Sequence, residues 1–286
     1  HPGEEKNDPD LASLYASLGD IFVNDAFSVS HRAHASVEAV AHLLPAVAGR
    51  QFTQEVEALT HSVENPKKPV LAIVGGSKIS TKIGVLDRFI EKVDCLAPVG
   101  GLANTFLKAQ GYETGNSLVE VDYVETALHI IQKAKAAGCK LLLPLDVVIA
   151  KNLQDNEAVT VCSIQDIPKN QMILDLGPET TKRLCDQIDI SQTILWNGPL
   201  GACEVKPFDK ASITLANHLG AQNHKFCVAG GGETVMVLRQ AGVEEKLSYV
   251  STAGGAFLEF LEGKPLPGLE ALKQAFLSQK ISTLET

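Results

Sequence analysis

Six short apolar runs, at residues 70–74, 95–99, 140–143, 193–196, 225–228 and 247–250, each stop at a glycine, a proline or a polar turn and lead into an amphipathic stretch. A strand buried on both faces reads as a continuous apolar run, and strands that alternate with helices pair in parallel through crossovers. The pattern predicts an α/β fold in which helices cover both faces of a mostly parallel sheet. Helical spacing of Val124, Leu128, Ile131 and Ala134 predicts a helix over 122–136, and Ile213, Ala216 and Leu219 predict one over 209–219.

The segment before residue 70 reads differently. It offers a helix over 10–18, one short strand over 21–23, a polar loop with His31, Arg32 and His34, and a helix over 49–62 that ends at Glu64-Asn65-Pro66. One strand makes no domain core. The expected division is 1–48 as part of one lobe, 49–66 as a connecting helix and linker, 67–270 as a complete second lobe, and 271–286 as a last helix and mobile tail returning toward the first lobe. Six cysteines lie far apart with no C-x-x-C and no zinc-type spacing, so buried reduced thiols are expected. Lys plus Arg is 25 against 34 Asp plus Glu, a net charge of −9, which argues against a general nucleic-acid or anionic-membrane binder. No apolar run has the length of a membrane span, and the expectation is a soluble cytoplasmic chain.

Glycines mark where chemistry belongs. Four run ends carry them: Gly75-Gly76-Ser77-Lys78, Gly100-Gly101, Gly230-Gly231-Gly232-Glu233-Thr234 and Ser251-Thr252-Ala253-Gly254-Gly255. Glycine after a strand lets the backbone approach a phosphate, and the next helix start supplies free N–H groups. Neither G-x-x-x-x-G-K-[ST] nor G-x-G-x-x-G with its acid is present, which disfavours P-loop NTPases and dinucleotide dehydrogenases. Lys78 and Lys82, four apart, are read as sharing the first turn of a helix, a placement that opposes the helix dipole unless an anion sits between them. The alternative is two solvated surface lysines. Asn197, in Trp196-Asn197-Gly198-Pro199, can donate to phosphate, and Glu204 can accept from a ribose; the alternative is a structural turn over a core tryptophan. Glu233 can hold Mg²⁺ beside nucleotide phosphates, or simply favour a helix N-terminus. Arg32 between two histidines can grip an anion, or belong to a solvated loop.

In chain order, Val23-Asn24-Asp25-Ala26-Phe27, His31-Arg32-Ala33-His34, Gly75-Gly76-Ser77-Lys78, Gly100-Gly101, Leu143-Pro144-Leu145-Asp146, Trp196-Asn197-Gly198-Pro199, Gly230-Gly231-Gly232-Glu233-Thr234 and Leu261-Glu262-Gly263-Lys264 resemble the motif series of the phosphoglycerate kinase family over nearly the whole chain. The resemblance implies two Rossmann-like lobes that close like a hinge, one for 3-phosphoglycerate and one for the magnesium nucleotide. Phosphoryl would pass between 1,3-bisphosphoglycerate and ADP, giving ATP, in a monomer of the glycolytic cytoplasm. By position it makes Lys82 the stabiliser of the transferring phosphoryl, with Gly232 and Gly255 at the catalytic centre. Lys78, with Gly75 and Gly76, would place the nucleotide phosphates, and Gly100 and Gly101 would flank the adenine. Asn197, Gly198 and Pro199 would lie against phosphate, Glu204 against the ribose and Glu233 on the metal. Gly230, Gly231, Gly232, Thr234 and the Gly254-Gly255 helix start would add N–H donors. Arg32, with His31 and His34, would belong to the substrate lobe's basic patch, and Lys68 stands where the family uses a substrate-binding Arg.

Four residues depart from the family pattern: Glu233 for Asp, Ala253 for the first of three glycines, Ser28 for Gly and Lys68 for Arg. Residue 1 is His, and the resemblance puts the family's opening strands and other arginines upstream of it. The resulting expectation is a substrate lobe mostly missing, residues before Asn65 loosely ordered, weak MgADP binding and little transferase activity. Two other readings are a non-catalytic nucleotide-binding module and a NAD-dependent dehydrogenase lobe, the second without its glycine fingerprint.

Overall fold

The computed structural model describes residues 1–154 and 159–284. Contacts divide the chain into two compact units, residues 61–250 and the paired segments 1–60 and 251 onward. The division falls inside the expected linker helix, and residues 251–270, expected with the glycine-rich lobe, group instead with the N-terminal segment.

In that first unit, α1 (Pro9–Ala16) begins with proline and is capped by Asp8, whose carboxylate accepts from the Asp10 and Leu11 N–H groups. β1 (Phe22–Asn24) pairs in parallel with β2 (Ala46–Ala48). α2 (Arg50–Val63) starts where Asp25 Oδ1 accepts from Phe52 N at 2.9 Å, and a side chain at Gly49 would collide with that carboxylate. Phe27 packs edge-on against Phe52 and against Phe260, with ring centroids 5.5 and 6.2 Å apart. Phe260 belongs to the C-terminal segment, so the region before Asn65 has a packed core where loose order was expected. That core is completed by a helix from the far end of the chain.

The second unit runs β3 (Val70–Val74), α3 (Ile83–Lys92), β4 (Cys95–Pro98), α4 (Gly101–Ala109), α5 (Val124–Ala137), β5 (Lys140–Leu141), β6 (Asp146–Ala150), β7 (Thr160–Ser163), β8 (Met172–Leu176), α6 (Pro178–Ile190), β9 (Thr193–Asn197), α7 (Lys210–Gly220), β10 (Phe226–Gly230), α8 (Gly232–Gln240) and β11 (Tyr249–Ser251). The six anticipated strands form one sheet in the order β11-β10-β9-β3-β4-β5, parallel from β10 to β5. Leu71, Ile73, Ala97, Ile194, Trp196 and Ala229 pack into one cluster with Leu184 and Ile188 of α6, Leu215 and Leu219 of α7 and Leu238 of α8. The alternate residues Val70, Ala72, Val74, Leu96, Leu195 and Val228 are equally buried, so the sheet is covered on both faces.

The antiparallel sheet β7-β6-β8 was not anticipated. It hangs beside the main sheet between β5 and α6, tied to α6 by Asp146, which accepts from Glu179 N, Thr180 N and the Thr180 hydroxyl. The chain then returns to the first unit with α9 (Gly255–Glu262) and α10 (Pro267–Leu284). The last helix therefore starts before residue 271, and residues 285–286 of the expected tail lie outside the described residues. No helix among the described residues is long and apolar enough to cross a membrane. All six cysteines are free; four are buried, while Cys162 and Cys185 are only half-buried.

Candidate active site

β3 and β9 are neighbours in register, Val74 opposite Asn197, so the loops leaving their carboxyl ends meet. Gly75 N donates to Asn197 O at 2.6 Å, and a side chain at either Gly75 or Gly198 would run into the other's backbone. Gly198 has φ +94°, a left-handed value that other residues resist. The next loop joins the same point: Leu102 N donates to Gly76 O at 2.8 Å. A side chain at Gly100 would press on Pro199 O. Glycine here is a condition of loop packing as much as of ligand approach.

Lys82 Nζ donates to Asn197 Oδ1 at 2.6 Å, and Asn197 Nδ2 donates to Gly230 O at 2.7 Å. Gly198 N donates to the buried Thr234 hydroxyl at 2.8 Å, and the Trp196 indole N–H to Gly198 O at 2.7 Å. One chain of bonds thus links the ends of β3, β9 and β10 and the first turn of α8. The Asn197 amide, read from sequence as a phosphate donor, spends one N–H on Gly230 and uses its oxygen to hold Lys82.

The two lysines are not in a helix. α3 begins at Ile83, with Lys82 at its cap position, and residues 75–82 form a loop. Glu120 holds that loop from outside, accepting from Ser80 N at 2.9 Å and from the Ser80 hydroxyl at 2.7 Å, while the Ile79 side chain is fully buried. Burial acts to raise the Glu120 pKa, but the bonds from Ser80 and the Ile79 N–H, with the Lys78 charge, outweigh it and leave the carboxyl below its ordinary value. These anchors replace the first helical turn that the i, i+4 spacing suggested. Lys78 itself is exposed.

Beside the loops lies a cavity of about 370 Å³ whose lining includes Gly76, Ser77, Gly100, Gly101, Pro199, Glu204 and Glu233. Its far wall is largely apolar: Val147, Leu153, Met172 and Leu174 from the antiparallel sheet and its surroundings, with Leu118 and Pro144. A concave apolar site with a few polar groups at one edge suits a flat heterocycle carrying a charged tail. Asp175 also reaches this wall; burial pushes its carboxyl up to about 7, the Ala211 and Leu176 N–H groups pull it down in part, and Asp209 adds to the rise. Burial, and then the charges of Glu204 and Glu233, push the nearby Cys203 thiol up to about 11.

Glu233 is exposed in the first turn of α8 after Gly231, whose φ is +100°. No group of three His, Cys, Asp or Glu able to hold a metal occurs among the described residues. A magnesium ion that takes most of its ligands from phosphates and water needs only one or two carboxylates, so the donor set fits that ion and not a caged one.

The remaining expected residues are not part of the cavity lining. Gly254 and Gly255 belong to the other unit, where Gly255 faces the His31 ring closely enough that a side chain would crowd it. Arg32 is exposed beside His31, its Nε 3.4 Å from the ring Nε2. Lys68 precedes β3, so strand direction puts it at the amino edge of the sheet, opposite the glycine loops, where it pairs with Asp94 at 3.3 Å. Asn104, Glu120, Asp175 and the β6–β8 wall were missed. For the wall the signal was present, since residues 146–150 and 172–176 are apolar strand-like runs.

The model of one family, phosphoglycerate kinase, matches residues 1–264. A phosphoglycerate kinase of Xanthobacter flavus is 53% identical over 277 residues, covering 96% of this chain and 70% of the relative. One from Caulobacter vibrioides is 53% identical over 276 residues, with the same coverage. Among solved structures, the phosphoglycerate kinase of Coxiella burnetii superposes with a TM-score of 0.91 at 44% identity, covering 95% of this chain and 70% of that one. That of Pyrococcus horikoshii, at 23% identity and a TM-score of 0.81, supports the fold alone.

Proposed function

Because the chain belongs to the phosphoglycerate kinase family, we propose that the cavity at the carboxyl edge of its main sheet holds the nucleotide of that reaction, and that Lys82 serves the phosphoryl group in transit. The family's reaction moves a phosphoryl group between 1,3-bisphosphoglycerate and ADP: a β-phosphate oxygen attacks the acyl phosphorus, the carboxylate of 3-phosphoglycerate leaves, and ATP forms. No protein nucleophile is required. What the protein supplies is alignment and neutralisation of charge on the phosphoryl oxygens.

The observation that carries this reading is the Lys82–Asn197–Gly230 chain of bonds, which fixes an ammonium group among glycine backbones at the ends of three adjacent strands. Lys78, exposed on the same loop, is free to swing onto the nucleotide phosphates. The Gly231 and Gly232 helix start presents N–H groups where anionic oxygens are stabilised. Gly76, Gly100, Gly101 and Pro199 flank the base, and Glu204 accepts from the ribose hydroxyls. Glu233 is the residue to hold Mg²⁺, which when bound neutralises phosphate charge. Arg32, with His31 and His34, serves the phosphoglycerate. The protein works in the cytoplasm, a reading supported by its six free thiols and by the family's place in glycolysis. The alternative of a non-catalytic nucleotide module finds no support in a cradle that keeps both lysines.

Calorimetric titration of MgADP tests the site. The wild-type chain is expected to bind, and a Lys78→Ala, Glu204→Ala double variant is expected to bind about tenfold or more weakly, the size of two lost polar contacts. Equal affinity would move the nucleotide elsewhere.

A further inference from the structure

Asn104 is a buried amide in a mostly apolar wall. It stands in the first turn of α4, is 2% exposed, and lines the cavity beside Gly100 and Gly101. Its Nδ2 donates to Leu118 O at 3.2 Å. A backbone carbonyl only accepts, so this bond fixes which end of the amide faces Leu118. Oδ1 has no hydrogen-bond partner among the described residues, and it is not one of the polar atoms sealed from solvent. That oxygen is reachable from solvent, so a ligand that displaces water from the cavity can be recognised by it.

The other polar side chains on the lining do not compete for the same task. Both Asp175 oxygens are engaged, by Leu176 N and by Ala211 N, at 2.9 Å each. Ser77, Glu204 and Glu233 are exposed. Asn104 is therefore the one lining side chain that is buried, neutral and left with an open acceptor.

We propose that Asn104 is a specificity-determining residue for the nucleobase: its Oδ1 accepts from the exocyclic amino group of adenine. The inference rests on the cavity being the nucleotide site. It also gives the Leu118 carbonyl a purpose, since that bond holds the amide with its oxygen facing the ligand.

The experiment titrates the wild-type chain with MgADP and with the magnesium complex of purine riboside 5′-diphosphate, which lacks only the amino group. The same pair is then titrated into Asn104→Leu. Wild type is expected to favour ADP by about 3- to 10-fold, the worth of one neutral hydrogen bond in a dry site. Asn104→Leu is expected to bind both ligands alike, near the wild-type affinity for the purine compound. Equal affinities in wild type overturn the assignment and leave the nucleotide site standing, and they do so even if the variant fails to fold. A preference for ADP that survives in Asn104→Leu overturns it as well. Absence of binding by either ligand overturns both the assignment and the site.

Discussion

Lysines sit at both edges of the main sheet and do opposite work. At the amino edge Lys225, 7% exposed, donates to Asp189 O at 2.8 Å and to Ser191 O at 2.7 Å, closing the carboxyl end of α6. Lys140 bonds Gln187 Oε1 at 2.9 Å, and Lys68 pairs with Asp94, which also accepts from Val70 N. Each charge there is met by protein. At the carboxyl edge Lys78 stands exposed, and Lys82 is held by a neutral amide oxygen among glycine backbones. In a parallel sheet with right-handed crossovers, the carboxyl ends face loops and helix starts, both rich in unpaired N–H groups, and the amino ends face helix ends rich in carbonyls. Lysine at the carbonyl-rich edge is a cap. At the N–H-rich edge the exposed Lys78 adds positive charge to positive potential, which becomes favourable when an anion arrives.

Three substitutions bear on this contrast. The largest effect belongs to Lys82→Ala, which in a full-length member of the family is expected to slow phosphoryl transfer by on the order of 10²–10³-fold, about 2.7–4 kcal/mol of barrier, and in this chain to cost only about 1 kcal/mol of stability as the buried Asn197 Oδ1 loses its donor. A coupled assay and a denaturation curve measure both, and normal turnover would remove Lys82 from its role. Lys225→Met reverses the pattern: about 2–3 kcal/mol of stability lost, because two buried carbonyls lose a charged donor, with MgADP affinity kept. If affinity fell as much as stability, the two edges would not be separable.

The smallest effect is a pH slope. Asp175 keeps its proton to about 7 in the folded protein against an ordinary value of 3.8, so the folded state binds more protons than the unfolded state between those values. Stability from this group is full below the unfolded value and is lost as pH rises toward 7, by at most about 1.4 kcal/mol per pH unit. Carboxylates held below their ordinary value, Glu120 among them, add a rise with pH that is common to both proteins, so the expected result is a wild-type urea midpoint that falls relative to that of Asp175→Asn between about pH 4 and 7. A difference between the two that stays constant with pH would show Asp175 ionised in the fold.

The six strands were legible because a strand buried on both faces admits almost nothing but apolar residues. Their glycine endings were legible because close backbone approach forbids a Cβ. The first unit was harder to read: β1 and β2 are three residues each, and its core joins Phe27 to Phe260 across most of the chain. Lys78 and Lys82 were found by type and misplaced by spacing. A four-residue interval fits a helical turn, and only Glu120, bonded to Ser80 from 40 residues away, makes it a loop.

Sequence alone settled the parallel sheet, its order of strand and helix, and the presence of a glycine-rich edge. These follow from burial and backbone sterics, which act on neighbours in the chain and so leave a local imprint. Tertiary structure decided that Asn197 holds Lys82 across 115 residues, that an antiparallel sheet walls the cavity, and that Asn104 keeps an open acceptor in an apolar wall. A hydrogen bond between distant segments depends on where folding brings them, and no spacing in the sequence encodes that meeting.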